Sequence, residues 1–201
     1  MAALPAPLEA VVVRLGELPG IGPKSALRIA LALLKWPEAR TRGLGEAILR
    51  LRKELFICSR CNGLADAEPC RLCDDPSRSR DILCLVADWD SLLALDRGGF
   101  YRGQYIILGG HFTPIDGTNS QSLKVERLRS RLAEGEVQEL VLGLGATLEA
   151  EHTASYLRNL TAQEFPKIKV TRLAQGIPLG AEIRYMDRET LRQSLTHRQK
   201  I

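Results

Sequence analysis

Residues 18–24 read Leu-Pro-Gly-Ile-Gly-Pro-Lys, and this stretch predicts a tight turn between two helices. Pro19 cannot continue the helix before it, because proline lacks an N–H and clashes with the preceding turn. Gly20 and Gly22 permit positive φ and leave no side chain between the backbone and an approaching molecule. Pro23 suits the first position of the second helix, where a missing N–H costs nothing. The N-terminal part of the chain is therefore predicted to be a helical hairpin.

The start of that second helix is also a candidate nucleic-acid site. Free N–H groups and the helix dipole at a helix N-terminus attract an anion. Lys24 and Arg28 lie four residues apart and therefore share one helix face beside that site. We expect Gly20, Gly22, Lys24 and Arg28 to contact nucleic-acid phosphates, which carry no sequence information. The alternative is an ordinary helical hairpin with solvated charges, since this turn chemistry is common.

Charge is distributed unevenly along the 201 residues. Residues 1–60 carry ten Lys+Arg and five Asp+Glu, whereas the remainder carries 18 and 19. The basic excess therefore accompanies the hairpin, as phosphate binding requires. With 45% apolar and 26% charged residues, the composition is typical of a soluble globular protein. We expect neither a membrane span nor a secretory signal, because the sequence has no long apolar run and no basic stretch at its start.

Four of the five cysteines lie in two Cys-x-x-Cys pairs, Cys58–Cys61 and Cys70–Cys73. Two such pairs separated by a short loop direct four thiolates at one tetrahedral centre, as in closed structural zinc sites. Because the protein supplies all four ligands, no position remains for a catalytic water, and we expect one structural Zn²⁺ per chain. Two redox Cys-x-x-Cys motifs or two disulfides are the alternatives. This use of cysteine suits a reducing cytoplasm.

Three helices are predicted in the N-terminal part, over residues 8–17, 23–35 and 41–55. Their apolar residues recur at helical spacing and are expected to face inward. These inward positions are Leu8, Val11 or Val12, Leu15, Leu18, Leu27, Ala30, Leu31, Leu34, Leu44, Ala47, Ile48, Leu51 and Leu55. The other face of the third helix carries Arg42, Arg50, Arg52 and Lys53. Such a charged row is either a solvated face or an extension of a DNA-binding surface.

From residue 81 onward the pattern changes to alternating strands and helices. Residues 82–86, Ile-Leu-Cys-Leu-Val, form an unbroken apolar run, which is typical of a strand in a parallel sheet covered on both faces. Further strands are predicted at 105–108, 139–142 and 168–171, and helices at 88–95, 123–133 and 149–159. This alternation predicts an α/β unit. A last short strand is predicted at 181–185, and a last helix at 188–194 before a basic tail.

Ligand sites in such sheets lie beyond the C-terminal ends of the strands. Asp88 and Glu149 follow two of the predicted strands, with Glu151 close behind. We favour the interpretation that they occupy the first turns of helices, where acids stabilise the helix dipole.

The order of these parts resembles one bacterial family. The turn at residues 18–25 resembles the helix-hairpin-helix motif of DNA repair proteins, and the α/β part resembles a Toprim domain. The whole arrangement resembles the RecR family of recombination mediators. The other matching motifs are residues 58–73, 75–78, 101–103, 108–110, 114–117 and 176–180.

The resemblance implies an α/β protein with an N-terminal helical hairpin, a small four-cysteine zinc knuckle, a Toprim-like parallel domain and a short C-terminal extension. In this sequence the implied segments are a helix-hairpin-helix DNA-binding region at 1–55, a four-cysteine zinc finger at 56–80, a Toprim-like domain at 81–175 and an oligomerisation segment at 176–201. Members of the family form dimeric or tetrameric rings, and their C-terminal segments are exchanged between subunits.

The resemblance also implies a function. Such proteins bind DNA at single-strand/double-strand junctions or gaps, and act with RecO and RecF to load RecA onto DNA covered by single-strand-binding protein. Lys24 and Arg28 match family positions implicated in DNA binding. An open loop at residues 101–110 is expected to help contact partners.

One part of the sequence departs from the catalytic Toprim pattern. Catalytic members place a Glu after the first strand and Asp-x-Asp after a later one, and these acids hold Mg²⁺. Here the first strand ends Val86-Ala87-Asp88, and after Leu142 no acid occurs before Glu149. We therefore expect a non-enzymatic protein. Against this pattern, the alternative to a helix-capping role for Asp88 and Glu149 is that they hold Mg²⁺ weakly or contact a partner. A Mg²⁺-dependent Toprim nuclease or primase-like enzyme is the alternative, and an RNA-binding zinc protein is a third possibility.

Overall fold

A computed structural model describes residues 4–111 and 124–198 of the chain. Contacts divide the chain between Leu55 and Phe56 into two compact units, called here the N-terminal unit and the C-terminal unit. Across the described ranges, none of the helices combines the length and apolar character that crossing a bilayer requires.

The N-terminal unit consists of three helices, α1 (Ala6–Gly16), α2 (Pro23–Leu34) and α3 (Glu38–Glu54). The helical hairpin is confirmed, with α1 packed against α2. Helix α3 begins three residues earlier than predicted, because the extended residue Pro37 forms its N-cap and Glu38 already occupies the first turn. An acid at that position is favoured by the helix dipole.

Burial in the N-terminal unit differs from the prediction. Of the 13 positions expected to face inward, only Ala30 is buried, and the unit's other buried residue is Ala26. Leu34 is 72% exposed, and α3 buries none of its side chains. Periodicity correctly identified residues that share a helix face, but three short helices within this unit do not cover those faces.

The C-terminal unit begins with a compact knuckle. Its antiparallel hairpin pairs β1 (Phe56–Ile57) with β2 (Leu64–Ala65), and a single helical turn, α4 (Arg71–Asp74), follows. Backbone hydrogen bonds close the first turn of the knuckle, with the Cys58 N–H donating to the Gly63 carbonyl at 2.8 Å.

A four-stranded, fully parallel sheet forms the rest of this unit, in the order β4-β3-β5-β6. The predicted parallel α/β fold is therefore confirmed. The strands are β3 (Ser79–Val86), β4 (Gly103–Ile107), β5 (Glu139–Gly143) and β6 (Lys169–Arg172). The helices are α5 (Trp89–Arg97), α6 (Val125–Ala133), α7 (Leu148–Glu164) and α8 (Arg188–Thr196). A core that includes Leu83, Leu128, Leu140 and Leu157 packs between sheet and helices.

Two expectations for this unit are wrong. Residues 101–110 are not an open loop: they contain β4, whose five residues are all buried. The knuckle covers the outer side of this strand, where the Ile107 N–H donates to the Cys61 carbonyl at 2.8 Å. Residues 181–185 are not a strand either, because they contain a short 3₁₀ helix, Ile183–Tyr185, with both end side chains exposed. The motif at 114–117 and the last three residues of the tail lie outside the described residues.

Candidate nucleic-acid interface and metal centre

The hairpin turn leaves the start of α2 open. After α1 the chain turns through Leu18 and Ile21, whose carbonyl and N–H form a hydrogen bond of 3.1 Å. Gly20 has φ +80°, so this position requires the conformational freedom of glycine. Gly22 does not, because it is the extended N-cap of α2 with φ −77°. A side chain added at either glycine would meet no neighbouring atom, so another molecule has room to approach the backbone.

The two predicted phosphate-binding side chains are available for a ligand. Lys24 and Arg28 are both exposed on α2. Within the described part of the chain, neither belongs to an ion pair, whereas Arg14 and Arg42 in the same unit pair with Glu17 and Glu38. The positive charge on this part of α2 is therefore not neutralised by neighbouring carboxylates.

The charged row on α3 divides into two kinds of residue. Arg42 donates to Glu38 at 2.6 Å, and Arg50 lies 3.9 Å from Glu54. Arg52 and Lys53 have no ion-pair partner among residues 4–111 and 124–198. The charges of two of the four residues are therefore neutralised by neighbouring carboxylates. That the row extends a DNA-binding surface stays a prediction.

The four cysteine sulfurs converge on one buried point. All lie within 4.8 Å of one another. The Sγ–Sγ distances are 3.6 Å for Cys61–Cys70 and 4.0 Å for Cys58–Cys73. Four thiolates bound tetrahedrally at about 2.3 Å from zinc lie about 3.8 Å apart. The sulfur set therefore fits one zinc ion, and the separations are far longer than the roughly 2.05 Å of a disulfide.

Neighbouring groups hold this cluster in place. The Gly63 N–H donates to Cys61 Sγ at 3.3 Å, and the Glu68 carboxylate accepts from the Ser59 N–H at 3.1 Å. The Asn62 side chain, from a residue with φ 61°, donates to the Ile107 carbonyl at 2.9 Å. These bonds link the two halves of the knuckle to each other and to β4.

The thiols of the cluster differ in acidity because they hydrogen-bond to one another. Hydrogen bonds with Cys61 and Cys73 lower the pKa of Cys70. The bond to Cys70 is the main cause that raises the pKa of Cys61, and the pKa of Cys73 is raised by its bond to Cys61. A divalent cation supplies the positive charge that favours deprotonation of all four thiols, so binding releases protons.

The acids at the strand ends take part in local structure. Asp88 is the N-cap of α5 and accepts from the Ser91 N–H at 2.8 Å, which lowers the pKa of Asp88. Glu149 lies in the first turn of α7, where its own backbone N–H is the main cause that lowers its pKa. His111 makes a smaller contribution in the same direction to both. His111 follows the strand predicted at 105–108, so the parallel topology already placed it at this edge of the sheet, although it was not predicted as a site residue.

Across the described ranges, the four cysteines form the one cluster of three or more metal-ligating side chains. Glu151, the third acid in this neighbourhood, is paired with Arg172 at 2.6 Å. The predicted Mg²⁺ or partner contact at Asp88 and Glu149 thus stays a prediction, while the geometry gives Asp88 a capping role.

Four family models match the chain, and together they cover most of residues 8–199. They describe a RecR helix-hairpin-helix at residues 8–51 and a RecR four-cysteine zinc finger domain at residues 55–75. They continue with a Toprim domain at residues 81–174 and a RecR C-terminal segment at residues 176–199. With the sulfur geometry, the zinc finger match confirms one zinc site with four cysteine ligands.

Curated relatives match over the same length. Recombination protein RecR of Nitratidesulfovibrio vulgaris is 56% identical over 201 residues, which is 100% of both chains. Recombination protein RecR of Maridesulfovibrio salexigens is 53% identical, again over 100% of both. That of Moorella thermoacetica is 41% identical over 98% of each chain.

Proposed function

We propose, because the chain belongs to the RecR family of recombination proteins, that it is a non-enzymatic, DNA-binding mediator of recombinational DNA repair. It binds single-strand/double-strand junctions or gapped duplex. It acts there with RecO and RecF to help load RecA onto DNA covered by single-strand-binding protein. We place it in the cytoplasm, where reducing conditions keep the cysteine thiols available for zinc.

The observation that carries this proposal is the uncompensated charge beside the hairpin turn. Gly20 and Gly22 leave the backbone open, and Lys24 and Arg28 stand on one face of α2 without ion-pair partners in the described residues. Backbone N–H groups and flexible cations recognise phosphates and not bases. This arrangement supports sequence-independent binding, as a protein that acts wherever DNA is gapped requires.

Exposed apolar surface in the N-terminal unit supports assembly into a homodimer or homotetramer. A groove of about 460 Å³ is lined almost entirely by apolar side chains, among them Leu8, Val11, Leu33 and Leu34. Uncovered apolar surface of this extent is typical of a site that another protein covers. The segments we propose, 1–55, 56–80, 81–175 and 176–201, follow the family pattern, and the division between Leu55 and Phe56 supports the first boundary.

The role of the strand-end acids supports a scaffold over a Mg²⁺-dependent enzyme. Asp88 uses its carboxylate to cap α5, and Glu151 is paired with Arg172. Phosphoryl chemistry of the Toprim kind needs several carboxylates free to hold a metal. The structural zinc supplies folding energy and no open coordination position.

Gapped duplex and the full-length protein test the proposal. With Mg²⁺ present, we expect a retarded band on a native gel and intact strands on a denaturing gel. The double variant Lys24→Glu/Arg28→Glu should abolish the retarded band. A control, Arg14→Glu, reverses a charge of the same unit that is already paired with Glu17 and lies outside both candidate DNA surfaces, and it should retain binding.

Other results would contradict the proposal in distinct ways. Unchanged binding by the Lys24→Glu/Arg28→Glu variant would remove α2 from the interface. Strand cleavage that is lost in Asp88→Asn or Glu149→Gln would make the protein an enzyme. Tighter binding to RNA than to gapped DNA would favour an RNA-binding zinc protein.

A further inference from the structure

The two edges of the parallel sheet differ in how they are covered. At the β4 edge the knuckle binds the strand, because the Ile107 N–H donates to the Cys61 carbonyl and the Asn62 amide donates to the Ile107 carbonyl. At the opposite edge, β6 pairs with β5 and with no other strand among residues 4–111 and 124–198. The β6 edge is therefore open to one further strand.

The register shows which backbone groups of β6 face outward. The Lys169 N–H donates to the Gln138 carbonyl at 2.9 Å, so Lys169 faces β5. Successive residues of a strand direct their N–H and C=O groups to opposite sides, and Thr171 therefore also faces β5. The N–H and C=O groups of Val170 and Arg172 point away from β5, and no backbone group in the described part of the chain bonds to them. These groups are the ones that an added strand uses.

A pocket of about 220 Å³ lies beside this edge, lined by residues of β5, α7 and β6. Its buried and half-buried lining side chains include the apolar Leu142, Ala154 and Val170. Ser155 and Arg158 from α7 also line it and are exposed. A peptide that adds to a sheet edge places alternate side chains in pockets of this kind, and such pockets select the peptide.

The uncompensated charge beside this edge is positive. On β6 itself, Lys169 lies 3.6 Å from Glu139 and Arg172 lies 2.6 Å from Glu151, so both cations are paired. Arg158 has no ion-pair partner within the two described ranges. The pocket next to the open edge therefore has an arginine available for an acidic ligand.

Charged residues on an edge strand have an ordinary explanation, because they prevent unwanted pairing with other chains. That explanation accounts for Lys169 and Arg172, but not for an unpaired arginine on α7 beside an apolar pocket. A second copy of this chain is a poor occupant, since pairing β6 with another β6 would bring the basic side chains of both copies together. An acidic segment meets no such repulsion.

We propose that the β6 edge and its pocket bind an extended, acidic segment of another protein. The segment adds as a strand to the outward groups of Val170 and Arg172. It places one apolar side chain in the pocket and one carboxylate against the Arg158 guanidinium. Backbone hydrogen bonds supply affinity, while the pocket and the charge supply specificity. This inference goes beyond the proposed function, because it uses none of the residues proposed to contact DNA.

Fluorescence anisotropy of the full-length protein with a labelled peptide tests this inference. The probe is Ser-Asp-Ser-Leu-Ser-Asp-Ser, in which both acids lie two positions from the leucine and so share its face in an extended chain. The same peptide with lysine in place of both acids is the charge control. We expect the acidic peptide to bind at least about fivefold more tightly than the lysine peptide.

Two variants separate charge from strand addition. Arg158→Ala should weaken the acidic peptide about fivefold and reduce the effect of salt on its binding, because salt screens charge attraction. Val170→Pro removes an outward N–H while keeping the bonds to β5 and an apolar side chain, and proline is tolerated on edge strands. It should weaken the acidic peptide about tenfold.

The matched control is Arg71→Ala, an exposed arginine of the same unit that is already paired with Asp66 at 2.6 Å. Its affinity for the acidic peptide should equal that of the unchanged protein. Far-UV circular dichroism and thermal unfolding check that each variant keeps its fold. Retardation of gapped duplex, measured in parallel, should be the same for all three variants.

Every contrary outcome identifies what is wrong. No binding of the acidic peptide, or equal binding of the lysine peptide, would overturn the inference and leave the DNA-binding proposal standing. Unchanged peptide binding by both Arg158→Ala and Val170→Pro would remove this edge from the interface. A changed oligomeric state of Val170→Pro in sedimentation velocity would show that β6 pairs between copies. Weaker retardation of gapped duplex by Arg158→Ala would assign this arginine to DNA instead.

Discussion

The two units use apolar surface and charge in opposite ways. In the C-terminal unit, the core leucines Leu83, Leu128 and Leu140 are fully buried, and Arg131 is almost fully buried against Gln104 and Glu134. In the N-terminal unit, leucines face outward and the cations Lys24 and Arg28 have no ion-pair partner among the described residues. Surface that one unit uses for its own folding is, in the other, free to contact other molecules.

The largest effect is expected at the zinc centre. Cys61→Ser removes one of four ligands, and structural zinc sites contribute about 10–16 kcal/mol of binding free energy in isolated finger peptides. The knuckle should lose its fold, and β4 should lose the cover that the Cys61 carbonyl helps to hold. Zinc content and amide hydrogen exchange of residues 56–111 measure this. The exchange of α1 and α2 should not change.

Low pH should also unfold the zinc knuckle while leaving α1 and α2 folded. Zinc binds cysteine as the thiolate, and the hydrogen bond to Cys70 raises the pKa of Cys61, so zinc binding displaces a proton from this thiol. Falling pH therefore favours zinc release, and zinc affinity should rise with pH. A colorimetric chelator that reports released zinc across a pH series measures the slope. If α1 and α2 lose exchange protection together with the knuckle, the two units do not unfold independently, which would contradict the difference between them described above.

A matched leucine pair tests burial directly. Leu140 on β5 is fully buried, and Leu140→Ala should lower the free energy of unfolding by about 2–5 kcal/mol. Leu34 on α2 is 72% exposed, and Leu34→Ala should change it by less than about 0.5 kcal/mol at low protein concentration. Urea unfolding measures both. Equal losses at high dilution would mean that Leu34 is covered within a single chain.

Leu140 and Leu34 also illustrate which features of the fold the sequence could predict and which it could not. The unbroken apolar run at 82–86 requires cover on both faces, so the parallel sheet followed from the sequence, and the Cys-x-x-Cys spacing made the metal centre equally predictable. Helical periodicity in the N-terminal unit defines faces but does not say whether this chain or another molecule covers them. The inward assignment of Leu34 and Leu51 was wrong for that reason.

Local chemistry explains the other differences. Turn signals around residues 181–185 indicated a short strand, yet strand formation needs a partner strand, and Ile183–Tyr185 forms a 3₁₀ turn instead. Helix α7 continues five residues beyond its predicted end at Asn159. There Thr161 is buried, and its hydroxyl donates to the Leu157 carbonyl at 2.8 Å. The strand ends that carry Asp88, His111 and Glu149 meet at one edge of the parallel sheet, but spacing along the chain did not show that His111 lies close enough to lower the pKa values of both acids.

One glycine in each unit gives a matched pair in which Gly→Ala should change the free energy of unfolding in opposite directions. A side chain added at Gly143 would lie 2.9 Å from Cys84 Sγ and 3.1 Å from the Leu85 carbonyl oxygen. Gly143→Ala should therefore lower the free energy of unfolding by about 1–3 kcal/mol. Gly43 lies inside α3 with open space around it, so Gly43→Ala should raise the free energy of unfolding by about 0.5–1 kcal/mol. Thermal and urea unfolding measure the two signs, and a loss at Gly43 would show that α3 is closely covered.

The smallest effect concerns charge. Asp88 caps α5, and Asp88→Ala should cost about 1 kcal/mol of stability, whereas Asp88→Asn keeps a capping oxygen and should cost less. The pKa of Asp88 is lowered mainly by the Ser91 N–H, so its contribution is fully present above its unfolded pKa of about 3.9 and is lost as pH falls through the lower folded value. In Asp88→Asn, the free energy of unfolding should depend less on pH in that acid range.

Lys24→Ala is the corresponding test of charge in the N-terminal unit, where we expect DNA affinity to fall and the melting temperature to stay unchanged. A drop in melting temperature for Lys24→Ala would show that its charge serves folding after all.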